Sequence, residues 1–161
     1  MTKFLLVALA LLVLVTTSAF TPPTIPVVVG DAAWQNRWRD AMLLLDGDDR
    51  WLVTTFVNQV RQDLPHGVFI YKTHTALGYP DDYLGRSGKP ERALWDAGTL
   101  MHAAEHSQAY WTGGDAMSEC RPLRAQVEFL RRKATTLYGR VLVRVLEWEA
   151  NSVCGVRKET P

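Results

Sequence analysis

The sequence predicts an α+β domain that is mostly α, with three to four helices and a small β element. Apolar residues recur three and four positions apart over most of the chain, as they do on one face of a helix. The run Val68 to Tyr71 is instead rich in β-branched and aromatic residues and follows the break Pro65-His66-Gly67, which is typical of a short strand.

A first helix is predicted after Asp31, whose side chain can cap its first turn. Its apolar face comprises Trp34, Trp38, Ala41, Met42 and Leu45. The turn Asp46-Gly47-Asp48 ends this helix and begins the next. A second helix is predicted over Arg50 to Asp63, although the β-branched residues in this segment leave a strand open as the alternative.

Glycine, proline and aspartate are frequent from Leu77 to Lys89, which predicts a loop or a loose hairpin. A third helix is expected from about Glu91 to Trp111, because Pro90 suits a first turn and Gly113-Gly114 stops the helix. One long last helix is predicted from Ser118 onwards, bent near Gly139. Its apolar stripe comprises Leu123, Val127, Leu130, Ala134, Leu137, Val141, Val145 and Trp148.

The N-terminus has the layout of a secretory signal, with Lys3, the apolar run Phe4 to Val15 and small residues up to Ala19. We therefore expect a signal peptide over residues 1–19, an extended proline-rich linker over 20–30 and a single secreted or periplasmic domain over 31–161. The alternative is a retained membrane anchor, but a run of 12 apolar residues is shorter than the roughly 20 that span a bilayer. No stable membrane insertion is expected after the signal is removed.

The formal net charge of +1 gives no electrostatic reason to expect nucleic acid as a partner, and no pattern predicts an oligomeric state. The chain has two cysteines, Cys120 and Cys154, and in an exported protein such a pair predicts one disulfide. The alternative is two free thiols, with Cys120 near a metal.

The run His102-Ala103-Ala104-Glu105-His106 within the third predicted helix contains the candidate metal ligands and a candidate catalytic carboxylate. Residues four apart lie about 40° apart in helical projection, so both imidazoles can face one ion. Glu119 follows after the Gly-Gly turn, where a returning helix can bring its carboxylate to the two histidines. Asp115 and Glu128 are weaker candidates for this third ligand. A His/His/Glu set is typical of zinc, which in catalytic sites takes three protein ligands and leaves one position open.

A zinc hydrolase also needs a carboxylate that accepts a proton from water at the metal. The position after the first histidine is Ala103, whereas Glu105 precedes the second. These two positions lie about 80° to either side of the mean histidine direction. Glu105 is therefore the candidate general base, provided that the cleft opens on its side of the helix.

The stretch Leu100 to His106, the segment Tyr110 to Gly113, and Glu119 with Gln126 seven residues later resemble the minimal zincin-like metallopeptidases. The resemblance covers about residues 68–135. It implies a zinc-dependent peptidase acting on a peptide or protein substrate, with His102, His106 and Glu119 as ligands and Val68 to Tyr71 as a sheet edge beside the active helix. The chain departs from the family's His-Glu-x-x-His order at Ala103, and its order instead looks like the inverted motif of the inverzincins.

Two other interpretations stay open. In the first, the chain is a catalytically inactive secreted binding or interaction domain, with or without metal. Ala103 favours this interpretation. In the second, the two histidines are surface residues that hydrogen-bond their neighbours. His74 is a candidate for orienting a substrate, and the tyrosines are candidates for donating to a reaction intermediate, although local hydrogen bonding and core packing explain such residues more often.

Overall fold

A computed structural model describes residues 25–78 and 89–155, which form five helices and a four-stranded sheet. The mostly helical α+β class is confirmed. The elements in chain order are β1 (Val27–Val29), α1 (Ala32–Leu43), α2 (Gly47–Phe56), β2 (Gln59–Arg61), β3 (Gly67–Ile70), β4 (Thr75–Gly78), α3 (Lys89–Trp111), α4 (Cys120–Lys133) and α5 (Leu137–Val153). The predicted signal peptide, residues 1–19, and most of the predicted loop at 77–89 lie outside the described residues.

The sheet has the order β1-β2-β4-β3, in which β1, β2 and β4 are parallel and β3 runs antiparallel to β4. All four residues of β4 are buried. The hydroxyl groups of Thr75 and Ser107 lie 2.7 Å apart and are buried, so they join this inner strand to α3. Strand β3 is thereby fixed at the sheet edge beside the helix that carries the two histidines.

Helix α1 follows its prediction closely. The Asp31 carboxylate accepts a hydrogen bond from the backbone N–H of Trp34 at 2.8 Å, which satisfies one otherwise unpaired donor of the first turn. Trp34, Trp38 and Leu45 are almost completely buried, as the apolar spacing required. Within the segment predicted as a linker, Val27–Val29 forms β1, which pairs with β2 in the sheet.

Two predicted elements are wrong in extent. The second helix ends at Phe56, and the rest of its predicted range contains the strand β2, in which Val60 is buried. The predicted long last helix is two helices, α4 and α5, because the chain leaves helical geometry at Ala134 and restarts at Thr136, whose side chain accepts a hydrogen bond from the N–H of Gly139. The break thus lies ahead of Gly139.

Helix α3 is the centre of the molecule. It packs against α1, α2 and α4, and its core side chains include Ala97, Leu100 and Ala104, none of which has measurable exposure. Among the described helices, none is long and apolar enough to cross a bilayer.

Candidate metal centre

The two histidines project from the middle of α3, and the carboxylate that meets them comes from the start of α4. Helix α3 ends in a turn in which Gly113 has a φ of +76°, a conformation that favours glycine. The chain then reverses through Asp115, whose carboxylate accepts from the N–H of Met117 at 3.0 Å. Glu119 stands directly before the first residue of α4, so the reversal delivers its side chain to α3.

Three potential ligand atoms converge at this point. The Nε2 atoms of His102 and His106 lie 3.0 Å apart, and the Oε2 atom of Glu119 lies 3.1 Å from the first and 3.3 Å from the second. Zinc–ligand bonds of about 2.0–2.2 Å at tetrahedral angles place neighbouring ligand atoms about 3.3–3.6 Å apart. The three groups therefore match the dimensions of one coordination sphere to within a few tenths of an ångström, and they could hold a metal ion.

His106 is oriented by a second contact. Its Nδ1 atom lies 2.8 Å from the backbone carbonyl oxygen of Ala116, to which it can only donate a hydrogen bond. In the neutral ring Nε2 then carries the lone pair, and it faces the Glu119 carboxylate, which is also an acceptor. Two acceptors at 3.3 Å repel each other unless a cation or a proton lies between them. A carbonyl behind a ligating histidine is the usual support of a metal site.

His102 is held in the form that binds metals. Burial, and after it the neighbouring His106, lower the pKa of His102 to about 4, although the Glu119 carboxylate and the Gln126 side chain act in the opposite direction. The imidazole is consequently neutral near pH 7. A neutral ring is the form that donates its lone pair to a cation.

A cavity of about 360 Å³ opens in front of the histidines. Residues from α3, α4, α5 and the strands β3 and β4 line it. The lining includes Trp95, Thr99, His102 and His106 of α3, Glu119, Leu123 and Gln126 at α4, Leu146, Glu149 and Val153 of α5, and His66, Gly67 and Val68 at the sheet edge.

Neither helix position that flanks the histidines faces this cavity. Ala103 has no measurable exposure and belongs to the apolar core. Glu105 is mostly buried, and its Oε2 atom lies 2.5 Å from Nε of Arg121 in an ion pair. It does not line the cavity, so its role as general base stays a prediction.

The remaining candidates lie apart from the cluster. His74 stacks on Tyr71 with ring centroids 4.6 Å apart, and Glu128 pairs with Arg132 on the surface of α4. Tyr110 is exposed and packs edge-on against Trp111.

Glu149 is the site residue that the sequence analysis missed. It lines the cavity from α5, a helix with no recognised motif. The signal that points to it is the predicted disulfide, which the structure confirms between Cys120 and Cys154. This bond ties the residue after Glu119 to a residue five positions beyond Glu149, so it brings the end of α5 to the His/His/Glu cluster.

Comparison of the chain with protein-family models, with curated proteins and with solved structures finds no match. The His/His/Glu cluster and its cavity are therefore the features from which a function can be inferred.

Proposed function

We propose that this protein binds one divalent cation through His102, His106 and Glu119, and that zinc is the ion. The observation that supports this proposal is the convergence of three acceptor atoms at 3.0–3.3 Å, one of them fixed by the Nδ1 contact with Ala116. Two imidazoles and one carboxylate form a donor set of catalytic zinc sites, which keep a fourth position for water or substrate.

The cavity extends the proposal to hydrolysis of peptides. Zinc in such a site lowers the pKa of coordinated water towards 7 and polarises a carbonyl group. The protein itself would supply a proton acceptor and an edge strand that binds the peptide. Glu149 lines the same cavity and can accept a proton there, while Glu105 can do so only if it leaves Arg121. The sheet-edge strand β3 borders the cavity through Gly67 and Val68, and an extended peptide can pair with such an edge.

A second candidate function is a metal-binding domain without catalysis. The position that carries the base glutamate in zincins is the buried Ala103, and Glu105 is occupied by an ion pair. Both facts favour this alternative over a peptidase that uses a base on α3.

Metal analysis of the purified protein tests the binding site. We expect about one zinc per chain, and in His102→Ala an affinity at least 100-fold weaker by chelator competition, because loss of one of three ligands removes a coordination bond. His74→Ala is the matched control, since this histidine lies outside the cluster, and it should bind as the wild type does. Equal zinc affinity in His102→Ala and the wild type would overturn the proposed site.

Peptide cleavage then separates the two candidate functions. The zinc-loaded wild type and His102→Ala are incubated with a mixed peptide library, and the products are read by mass spectrometry. Cleavage by the wild type that is lost in His102→Ala supports the hydrolase. Full zinc occupancy without cleavage in the wild type supports the silent binding domain instead.

A further inference from the structure

The outward side of α5 carries an apolar stripe that no other part of the described structure covers. The outer α5 face, as we call it, consists of Leu137, Val141, Val145 and Trp148, which are 74%, 49%, 56% and 70% exposed. Positions four, four and three apart fall within about 80° of the helix circumference and extend along about 16 Å. They therefore form one continuous surface.

This surface is not the side of α5 that packs on the protein. Gly139, Val143, Leu146 and Ala150 are buried on the opposite side of the helix. The apolar spacing predicts these residues in one stripe of a single long helix, but the break at residues 134–136 lets α5 turn a different side inward. A contiguous exposed apolar stripe is costly in water and marks an interaction surface.

Positive charge borders the stripe on one side. Arg140 and Arg144 line a groove of about 330 Å³ between α4 and α5, together with Leu137 and Val141. The groove also contains Arg131 and Glu147, but these two neutralise each other in an ion pair of 2.6 Å. Among the described residues neither Arg140 nor Arg144 has a carboxylate partner, and Arg140 donates to the backbone oxygen of Thr135. The border thus carries two uncompensated positive charges.

We infer that the outer α5 face docks on an anionic lipid bilayer. Apolar side chains that include a tryptophan, flanked by arginines, are the features by which an amphipathic helix lies in the interface of a negatively charged membrane. The apolar residues enter the headgroup region, and Arg140 and Arg144 meet lipid phosphates. The helix lies on the membrane and does not span it.

A second copy of the chain fits this face less well. In an antiparallel pair of α5 helices the same border of each helix meets itself, so Arg140 and Arg144 of one copy would face those of the other. One stripe of four side chains also falls well below the roughly 800 Å² per partner that a stable interface buries. The inference is independent of the proposed metal site, because none of the metal ligands belongs to this face.

Vesicle binding tests the inference on the protein as recovered after export, with its N-terminus determined by mass spectrometry. Sedimentation with vesicles of phosphatidylcholine alone is compared with vesicles containing one quarter phosphatidylglycerol, at low and at physiological salt. We expect binding to the anionic vesicles that weakens with salt. Arg140→Gln with Arg144→Gln should reduce it roughly 30-fold, since each arginine near such a surface contributes about fivefold.

The matched control is Arg39→Gln with Lys72→Gln, which removes the same charge from exposed positions outside α5. A fluorophore on Val145→Cys reports whether the outer α5 face enters the membrane, even if the N-terminal segment also binds lipid. Its emission should shift to the blue with anionic vesicles. The same label on Leu43→Cys, which is exposed on α1, should not respond. Equal losses in both arginine and control variants, no binding to anionic vesicles, or a Val145 shift that follows protein concentration without lipid would each overturn the inference.

Discussion

At the scale of single residues, the candidate metal centre depends on which atoms face the cavity. His102 and His106 face it because their helix positions differ by about 40°, and this part of the site follows directly from the sequence. The flanking positions 103 and 105 point to the sides, one into the core and one to Arg121. While Glu105 stays paired with Arg121, a proton acceptor in the cavity comes from another element, and among the described carboxylates that line it Glu149 is the one that is not a proposed ligand.

We therefore expect Glu149→Gln to reduce cleavage by the zinc-loaded protein by about 100-fold, within the range that a general base contributes, while zinc affinity stays within a few-fold of wild type. The amide keeps the shape of the side chain but cannot take the proton. Initial rates against pH and chelator competition measure the two effects. Glu147→Gln, two residues away and paired with Arg131 outside the cavity, is the control. If Glu105→Gln removes the activity and Glu149→Gln does not, the base is Glu105 as the sequence predicts.

At the scale of secondary structure, the sequence predicted elements well where one strong pattern acted alone. The spacing of Trp34, Trp38 and Ala41 predicted α1, and its capping residue Asp31 predicted where it begins. The prediction was wrong where the local apolar spacing competes with contacts to residues distant in the sequence. The apolar spacing continues through residues 134–136, so only the capping by Thr136 and the packing of α5 on its other side end the helix there. The strand β2 is short and depends on its neighbours β1 and β4, which local spacing does not reveal.

A buried ion pair between Arg37 and Asp96 fixes α1 to α3. The Arg37 guanidinium donates to the Asp96 carboxylate through two hydrogen bonds of 2.6 and 2.8 Å, and the Asp96 side chain has no exposure. Arg37 also lies 5.2 Å from the ring centroid of Trp34. Burial raises the pKa of Asp96 above its ordinary value, and Arg37 opposes this shift. With a folded-state pKa above the unfolded one, the contribution of Asp96 to stability is greatest at low pH and is lost as the pH rises through the folded value.

Replacing Arg37 with methionine should therefore destabilise the protein by about 3–5 kcal/mol at pH 7, because an ionised carboxylate is left buried without a partner. The same change raises the pKa of Asp96 further, so the carboxyl group takes up a proton in mild acid and the deficit should be smaller at pH 5. Urea unfolding at both pH values measures this. In the double variant Arg37→Met with Asp96→Leu, most of the lost stability should be recovered. The small remaining deficit should not depend on pH. A deficit in Arg37→Met that is equal at both pH values would contradict this account.

At the scale of the whole molecule, the cavity beside the His/His/Glu cluster is assembled from distant parts of the chain. Its walls are α3, α4, α5 and the strands β3 and β4, which the fold brings together. Sequence spacing predicts only the lining residues on α3 and, through the Gly-Gly turn, those at the start of α4. The disulfide between Cys120 and Cys154 fastens the α4 wall to the α5 wall next to Glu119.

Removal of this disulfide should accordingly act on stability and on metal binding together. Cross-linking residues 34 apart restricts the unfolded chain by about 3–4 kcal/mol in the loop-entropy description, so Cys120→Ser with Cys154→Ser should lower the free energy of unfolding by about that amount. Zinc affinity should fall about tenfold under conditions where the variant is still folded, because Glu119 is half exposed and depends on the adjoining backbone for its position. Ser118→Ala with Ser152→Ala alters the neighbouring positions and keeps the disulfide, so it should change neither quantity. Unchanged zinc affinity in a folded cysteine variant would mean that α3 and the turn after it hold Glu119 without help from the disulfide.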